Sequence, residues 1–519
     1  MYLSCQSSKT HDTSVAVDTE VTVDEDGWRS ALYPEDWTPD YTSPDGHFLH
    51  DFSYAGYKNG EEVVPDITGM MQFSVLDYGA DPSGEGDSLG SFQQAISAAS
   101  QDGGVVWVPE GLYQLSDNLL IQASNVVIAG EGPEKSQLWF TRDTDMTEGA
   151  SILFQGSIEQ SMDYLLSADG VSRSHDVWVE EVTGLSADQD VVLGWVISPA
   201  FVEEHAMSQY WQVFNGSWVP FFRRNISTIS GNIVSLDVPL RYPARLRDQA
   251  SLRIETGYLS ECGVQDLGVS NAIDFDIAQT YDRAHAIEMN SVKDCWIQNV
   301  HSFQAPNQEE HLQSGGVKIM TSKRVTITDS NLQKAQNRGG GGNGYLFEIS
   351  QSSEILIKDS AGAHGRHNFI QNWGFGTSGC VFLRTHSSAG AVYPDGNSSI
   401  SSVGYSEFHH SLAMSNLIDS STADDGWKAV NRLFYSSGAG HTATENVFWN
   451  VRGTGSLYSY QYGNGYVIGT EDLTVYTEVT DTFENTGTAP EDYAEGLGEA
   501  SELIPQSLYE DQLEKRLSR

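Results

Sequence analysis

A strand pattern returns three times at a spacing of 30 residues, and this limits the fold more than any other feature of the chain. Cys295, Ile297 and Asn299 align with Val325, Ile327 and Asp329, and again with Ile355, Ile357 and Asp359. A second strand keeps the same step through Ile287, Val317 and Phe347. Two strands recurring together at a fixed period are one coil of a solenoid, and one coil cannot bury its apolar face alone. Alternate side chains point inward, and Asn or Asp closes each strand at a turn. The pattern predicts an all-β chain built as a parallel β-helix, in which residues 30 apart lie above one another.

Composition agrees with strands and turns: 50 glycines, 11% aromatics and only 19% charged residues among 519. The formal net charge of −43 excludes a duplex nucleic-acid binder, which needs a basic face. It suits the solubilising coat of a secreted or salt-adapted protein. Four cysteines make no disulfide framework and no zinc spacing, although Cys262 and Cys295, about one coil apart, are placed to stack or bridge. No apolar run reaches transmembrane length. Residues 1–27 are polar and acidic and read as a disordered tether. Tyr2-Leu3-Ser4-Cys5 resembles the mature start of a bacterial lipoprotein, so the expected location is secreted, periplasmic or anchored to the outer membrane.

Residues 28–70 are rich in aromatics, Pro and Gly, and are expected to form an irregular cover over one end of the solenoid. Residues 71–149 open the β-helix. They run strand, polar loop, short amphipathic helix around Phe92 and Ile96, then a strand ending in Val108-Pro109-Glu110-Gly111. Residues 150–255 break the register with short alternating runs and read as an inserted small β subdomain. It carries Arg223, Arg224, Arg241, Arg245 and Arg247, for which ordinary ion pairs are as good a reading as ligand binding. Residues 256–470 form the main β-helix with long loops, and residues 471–519 an acidic cap or tail with a helical end.

The opening segment, from Val75-Leu76-Asp77-Tyr78-Gly79-Ala80 through Gly103-Gly104-Val105-Val106-Trp107-Val108 to Val127-Ile128-Ala129-Gly130, resembles the start of the pectate-lyase-like superfamily. The resemblance implies a right-handed β-helix. It is weak for activity, because lyases, hydrolases, epimerases and phage tailspikes share the motif.

The long loops share the solenoid's period and therefore leave one edge of successive coils. Gln304, Lys334 and His364 occupy equivalent positions, as do Gln308, Arg338 and Asn368. Nine of the 14 histidines fall between His285 and His441, with His409 and His410 adjacent. A groove of Lys, Arg, His and aromatic side chains is what an acidic glycan needs: cations hold carboxylate or sulfate, and His moves protons near neutral pH. The candidate catalytic set is Lys334, Arg338, His364, Arg366, His367, His410 and His441. The candidate substrate-binding set is His311, Asn368, Trp373, Trp427 and Arg432.

Two reactions compete. In β-elimination a base takes the proton next to a uronate carboxylate while a cation neutralises that carboxylate. In lyases of the superfamily the base is often Arg or Lys and the neutralising ion often calcium. No dense acidic cluster suggests a calcium site here; Asp274, Asp276 and Asp282 come nearest, and the metal stays unassigned. Glycoside hydrolysis needs two carboxyls, for which Glu309, Glu407, Asp424 and Asp425 are available. Asp424-Asp425, Gly440-His441 and Arg452 follow the order of the polygalacturonase branch. The preceding Asn-Thr-Asp, the second Gly and the Lys partner are missing. The sequence therefore favours a secreted enzyme that cleaves an acidic polysaccharide by elimination, ahead of a hydrolase and of a non-catalytic, tailspike-like glycan binder. The protein is expected to be a monomer or a trimer.

Overall fold

The computed structural model describes residues 27–306, 308–393, 402–477 and 492–519; the tether, Cys5 and the lipoprotein-like start lie outside them. The chain is a right-handed parallel β-helix with three strand ladders. One ladder has ten strands, His285–Asn290, Gly315–Met320, Tyr345–Ser350, His367–Gln371, Ser406–Phe408 and Trp427–Ala429 among them, and is called sheet C below. The other two, sheets A and B, are joined because long strands such as Val292–Ser302 bend through both.

The 30-residue step is the register of the structure. Ile287 pairs with Val317 and Val317 with Phe347 in sheet C, and Ile297 with Ile327 and Ile327 with Ile357 in sheet A. All of these side chains are buried in one continuous core. The turn residues Asn299, Asp329 and Asp359 take φ of 51, 52 and 50°, a left-handed conformation that Asn and Asp tolerate better than most residues. Serine side chains run between coils at the turns: Ser322 Oγ accepts from Val292 N, and Ser352 Oγ from Ser322 N, both at 3.0 Å. These bonds satisfy backbone amides that would otherwise be buried unpaired.

The insertion is a seven-stranded antiparallel sheet with its own core, in which Trp195 stacks on Phe221 at 3.6 Å. The strand Ala150–Gln155 pairs with His285–Asn290 and so belongs to sheet C, which moves the start of the insertion past the expected residue 150. The basic residues of the insertion are ion-paired. Arg223 meets Glu255 at 2.5 Å, Arg224 and Arg241 meet Glu354 at 3.1 and 2.8 Å, and Arg247 meets Glu204 and Asp248.

The aromatic N-terminal segment does not close an end of the solenoid. Leu32, Tyr33, Trp37, Leu49 and Phe52 lie along the outer face of sheet A, over Leu356, Leu383, Leu417 and Trp449. The C-terminal helix Leu508–Leu517 packs beside them through Leu508 and Tyr509, so the chain's last segment is part of this lateral cover. The outward side chains of sheet A beneath this cover, Leu356, Val381, Leu383, Leu417, Val447 and Trp449, are apolar and are buried by it. The N-terminal end of the core is closed by the helix Leu89–Asp102 through Phe92, Ala95, Ile96 and Ala99. Cys262, Cys295 and Cys380 are free and buried, and Cys262 N donates to Cys295 Sγ at 3.4 Å.

Candidate functional site

The outer face of sheet C is not apolar. Across adjacent strands its register places Glu288, Lys318, Glu348, Ile370, Glu407 and Lys428 in one row. Tyr345 and His367 form a second row beside it. Loops stand on both sides. One wall contains Asp282, Arg283 and the glycine-rich turn with Gly341 and Gly342; the other contains Trp373, Ser436 and Ser437. Together with Tyr345, Arg366, Asn372 and His409 they enclose a cavity of about 300 Å³.

The insertion builds the second wall. Phe375 is buried in the insertion's core, which fixes the loop carrying Trp373. Trp211 Nε1 donates to Ala439 O at 2.8 Å, which ties down the loop carrying Arg432 and Ser436. At Gly438 (φ +89°) a Cβ would lie 1.9 Å from Tyr210 O, so only glycine allows this close approach.

Just beneath the residues that line the cavity, Glu407 is the hub. Its Oε1 accepts from Arg432 at 2.5 Å, contacts His409 Nδ1 and lies 3.4 Å from His367 Nε2. Burial would raise this carboxyl, but Arg432 and the two histidines hold it well below the usual carboxylate range. His409 Nδ1 faces both the Glu407 carboxylate and, at 2.8 Å, Arg432 NH1, and Nε2 lies 3.1 Å from Ser436 Oγ; with Nδ1–H donating to the carboxylate, Nε2 is left as the base. Burial, then the Arg432 charge, lowers the His409 pKa, and burial takes His367 down to about 3, so both rings are neutral at ordinary pH. Tyr345, with its ring centroid 5.2 Å from that of His367 and 6.0 Å from that of His409, is pushed up to about 12 by burial and keeps its proton.

One strand pair away, Glu348 accepts from Asn372 Nδ2 at 2.9 Å and meets His285 Nε2 at 3.1 Å. Burial alone would raise its pKa; His285, Lys318 and Asn372 override burial and set it at about 2. The Nε atoms of Arg283, Arg366 and Arg432 are buried and make no hydrogen bond among the described residues. Trp373, 45% exposed, packs against His410 at 4.3 Å. His410 bonds Ser436 O at 2.9 Å, and burial lowers its pKa to about 4.

Of the candidates read from the sequence, the fold gathers Arg366, His367, Trp373, Glu407, His410 and Arg432 around this cavity. The others lie elsewhere. Lys334 and His364 stack at the sheet B–sheet C edge, close enough that both help lower the pKa of buried His311 to about 4, after burial itself. Arg338 is turned to Tyr393, 4.6 Å from the ring centroid and 3.1 Å from the hydroxyl. Glu309 is exposed on its loop. Four placements correct the sequence reading. Trp427 is 1% exposed inside the solenoid core, so its indole offers no face to a sugar. Asn368 is an interior bridge from Gly365 N to Asp425 and Ser388. His441 is buried against the insertion, its ring 5.2 Å from that of Tyr462. Asp424 faces out to His386 at 2.9 Å while Asp425 is buried in a turn and raised to about 6, so this pair does not flank a shared site. Arg452 pairs with Glu471.

Sequence reading passed over Tyr345, Glu348 and His285. The signal was present in the 30-residue spacing of Glu288, Lys318 and Glu348 between the apolar alternates of the second strand.

Among the described residues the one group able to hold a metal is His367, Glu407 and His409, whose ligand atoms lie within 4.8 Å of one another. Two imidazoles do not suit calcium, which takes oxygen ligands. With the carboxylate they make a donor set that suits zinc, and the Arg432 guanidinium against Glu407 Oε1 competes for that oxygen. Asp274 caps a short helix and Asp282 binds Asn343, so that acidic group does not converge.

No helix among the described residues is long and apolar enough to cross a membrane. A family model described as rhamnogalacturonase A/epimerase, pectate lyase-like, matches residues 72–174. Comparison with curated proteins finds no match. Solved structures similar to the chain include the tailspike protein gp49 of Pseudomonas phage LKA1, with 14% identity, 82% of this chain and 84% of that one covered, and a TM-score of 0.42. The A-module of mannuronan C-5 epimerase AlgE4 from Azotobacter vinelandii shows 12% identity over 82% and 96% of the chains, with a TM-score of 0.29. The catalytic unit of the GH87 α-1,3-glucanase of Streptomyces thermodiastaticus shows 12% identity over 84% and 70%, with a TM-score of 0.30. At such distances nothing about substrate passes to this chain. The strand ladders make the chain a right-handed parallel β-helix protein, and its opening segment is similar to the pectate-lyase-like family model over residues 72–174.

Proposed function

We infer that this chain is a carbohydrate-active enzyme that cleaves an acidic polysaccharide by β-elimination in the cavity over sheet C. One observation carries the reading. The two carboxylates on the cavity floor, Glu348 and Glu407, are both held ionised, whereas His367 and His409 are held neutral beside a protonated Tyr345. A two-carboxyl hydrolase needs one carboxyl that keeps its proton to protonate the leaving oxygen. Neither floor carboxyl is in that state, and they sit two strands apart, roughly 10 Å between backbones.

The same groups fit elimination. His409 Nε2, with Nδ1–H held by Glu407, takes the proton beside the uronate carboxylate. Arg366, which gives NH1 to Gly339 O, and Arg283, which pairs through NH2 with Glu148, turn their remaining donors to that carboxylate and stabilise the charge spreading onto it. The electron pair forms the new double bond as the glycosidic C–O bond breaks, and Tyr345 protonates the departing oxygen. Trp373 offers an exposed ring face to a neighbouring sugar.

The test is incubation with polygalacturonate, alginate, hyaluronan and chondroitin sulfate, following ultraviolet absorbance of the conjugated product and reducing ends together. Both should rise for at least one polymer. Reducing ends rising alone would overturn elimination in favour of hydrolysis, and retention of a polymer without products would favour a binding protein.

A further inference from the structure

The floor of the cavity does not stop at Glu407. Register across the next three strands continues its row as Lys428, Tyr458 and Tyr476, each pairing in turn with the one before. The alternate side chains Trp427 and Leu457 point into the core, so this row faces outward. Each of the three is half-buried, not covered. The row is held stiffly. Tyr458 and Tyr476 stack at 4.7 Å with 9° between ring planes. Lys428 Nζ lies 3.8 Å from the ring centroid of Tyr405 and 5.5 Å from that of Tyr458. Tyr405 meets Tyr458 edge-on at 5.8 Å.

We propose that Lys428, Tyr458 and Tyr476 form an extended subsite that binds the anionic sugars flanking the cleaved bond, so that the polymer lies along sheet C toward its C-terminal end. This rests on the cavity being where an acidic glycan binds. From Glu407 to Tyr476 the row spans three strand spacings, roughly 14 Å, the length of a short oligosaccharide. An ammonium held over aromatic rings is a point charge for a carboxylate or sulfate, and tyrosines add ring edges and hydroxyls for sugar hydroxyls. Because stacking already fixes the rings, little side-chain entropy is lost when a sugar docks. In a chain of net charge −43, a lysine one strand from Glu407 on the face that carries the cavity arginines is a local exception to the acidic surface.

The experiment measures affinity against length. Fragments of two to eight sugars from polygalacturonate, alginate and hyaluronan are titrated by calorimetry into the His409→Ala protein, which should bind without turning over. For the polymer that binds, affinity should rise at least fivefold from two to six sugars, and Lys428→Gln should erase that gain. Tyr458→Phe, which keeps the stack and removes one hydroxyl, should erase part of it, and guards against misfolding as the cause. A length gain that survives in both variants overturns the subsite, as does no gain in the parent. Cleavage with no length gain overturns the subsite alone; a length gain that depends on Lys428, without cleavage in the unmutated protein, overturns the lyase reading and leaves the subsite standing.

Discussion

Glu354 should be among the costliest single carboxylates to remove, and the reason lies in what surrounds it. It is 1% exposed and is the shared counter-charge of Arg224 and Arg241, each 0% exposed. Arg241 reaches it with two bonds, Nε to Oε1 at 3.2 Å and NH2 to Oε2 at 2.8 Å, and also donates to Asp51 O in the N-terminal cover at 2.6 Å. Arg224 adds carbonyl contacts to Val238 and Pro239. Solenoid, insertion and cover therefore meet at one carboxylate. Glu354→Gln would leave two desolvated guanidiniums without a counter-charge, and breaking a buried pair in this way costs about 3–5 kcal/mol. With a urea slope of roughly 3 kcal/mol/M or more for a chain this large, the midpoint should fall by about 1 M. Fluorescence of the buried Trp195 and Trp211 would follow the insertion directly. The exposed Arg384–Asp359 pair is the contrast: Asp359→Asn should cost under about 1 kcal/mol and lose even that in salt. A Glu354→Gln midpoint within error of the parent would refute the reasoning. It would mean that apolar contacts alone dock the insertion.

His409→Ala should lower kcat by at least about a hundredfold by removing the base, and Glu407→Gln by about 10–150-fold by releasing the orientation of that base, a charge-assisted bond worth about 1.5–3 kcal/mol; full rates in both, on whichever polymer is cleaved, would put the chemistry elsewhere. Ile327→Ala should destabilise by about 2–5 kcal/mol as a core truncation and leave KM unchanged, read by denaturation and initial rates. His367 has a folded pKa of about 3, below its unfolded value of 6.5, so its unfolded state binds the extra proton between those values and stability falls as pH drops through 6.5. Down to pH 5 this loss, taken alone, is about 2 kcal/mol, and buried Asp419 and Asp425, whose raised values near 7 and 6 act with the opposite sign, more than offset it with about 3 kcal/mol. His367→Asn should raise the stability at pH 5, relative to that at pH 6.5, by about 2 kcal/mol over the parent, and a profile that parallels the parent's would show that His367 titrates normally.

The solenoid was legible because its regular coils repeat at one length: Ile287, Val317 and Phe347 state the register before any coordinates exist. Beyond Phe347 the step changes to 22 residues at Phe369, then to 36 between Val381 and Leu417, and to 19 between Val447 and Tyr466. Without a fixed period the inward alternates cannot be phased, which is why Trp427 read as a binding residue and lies in the core. Asp424 and Asp425 show the same difficulty at one step: neighbours in sequence, they point to opposite sides of a turn. Arg366, His367, Trp373, His410 and Arg432 were legible as residues of one loop edge. That they enclose a cavity depends on the insertion, which grips Phe375 and Ala439 from more than 150 residues away, and no local pattern announces such a contact. Tyr345 and Glu348 were hidden for a different reason: Tyr345 shares the alternation of apolar Phe347 and Ile349, and Glu348 is a polar alternate of a strand that was read for its apolar ones.

The acidity of the chain bears on how an anionic polymer could reach the cavity. At 0.01 M salt the Debye length is about 30 Å, so an approaching polyanion meets the whole surface of net charge −43; at 0.1 M it is about 10 Å, and only the nearby charges count. Arg283, Arg366 and Arg432 have buried Nε atoms in a partly dry cavity, where their attraction is screened less than the distant repulsion. Moderate salt should then strengthen binding of an acidic polymer before high salt weakens it, giving an affinity maximum at intermediate ionic strength. A basic groove on a neutral protein would show only the decline. Affinity of the His409→Ala protein for the retained polymer, measured from 0.01 to 0.5 M NaCl, decides between them. A steady fall across the range would mean that the carboxylate coat lies too far from the groove to matter, and that the cavity arginines act through an open, fully solvated surface.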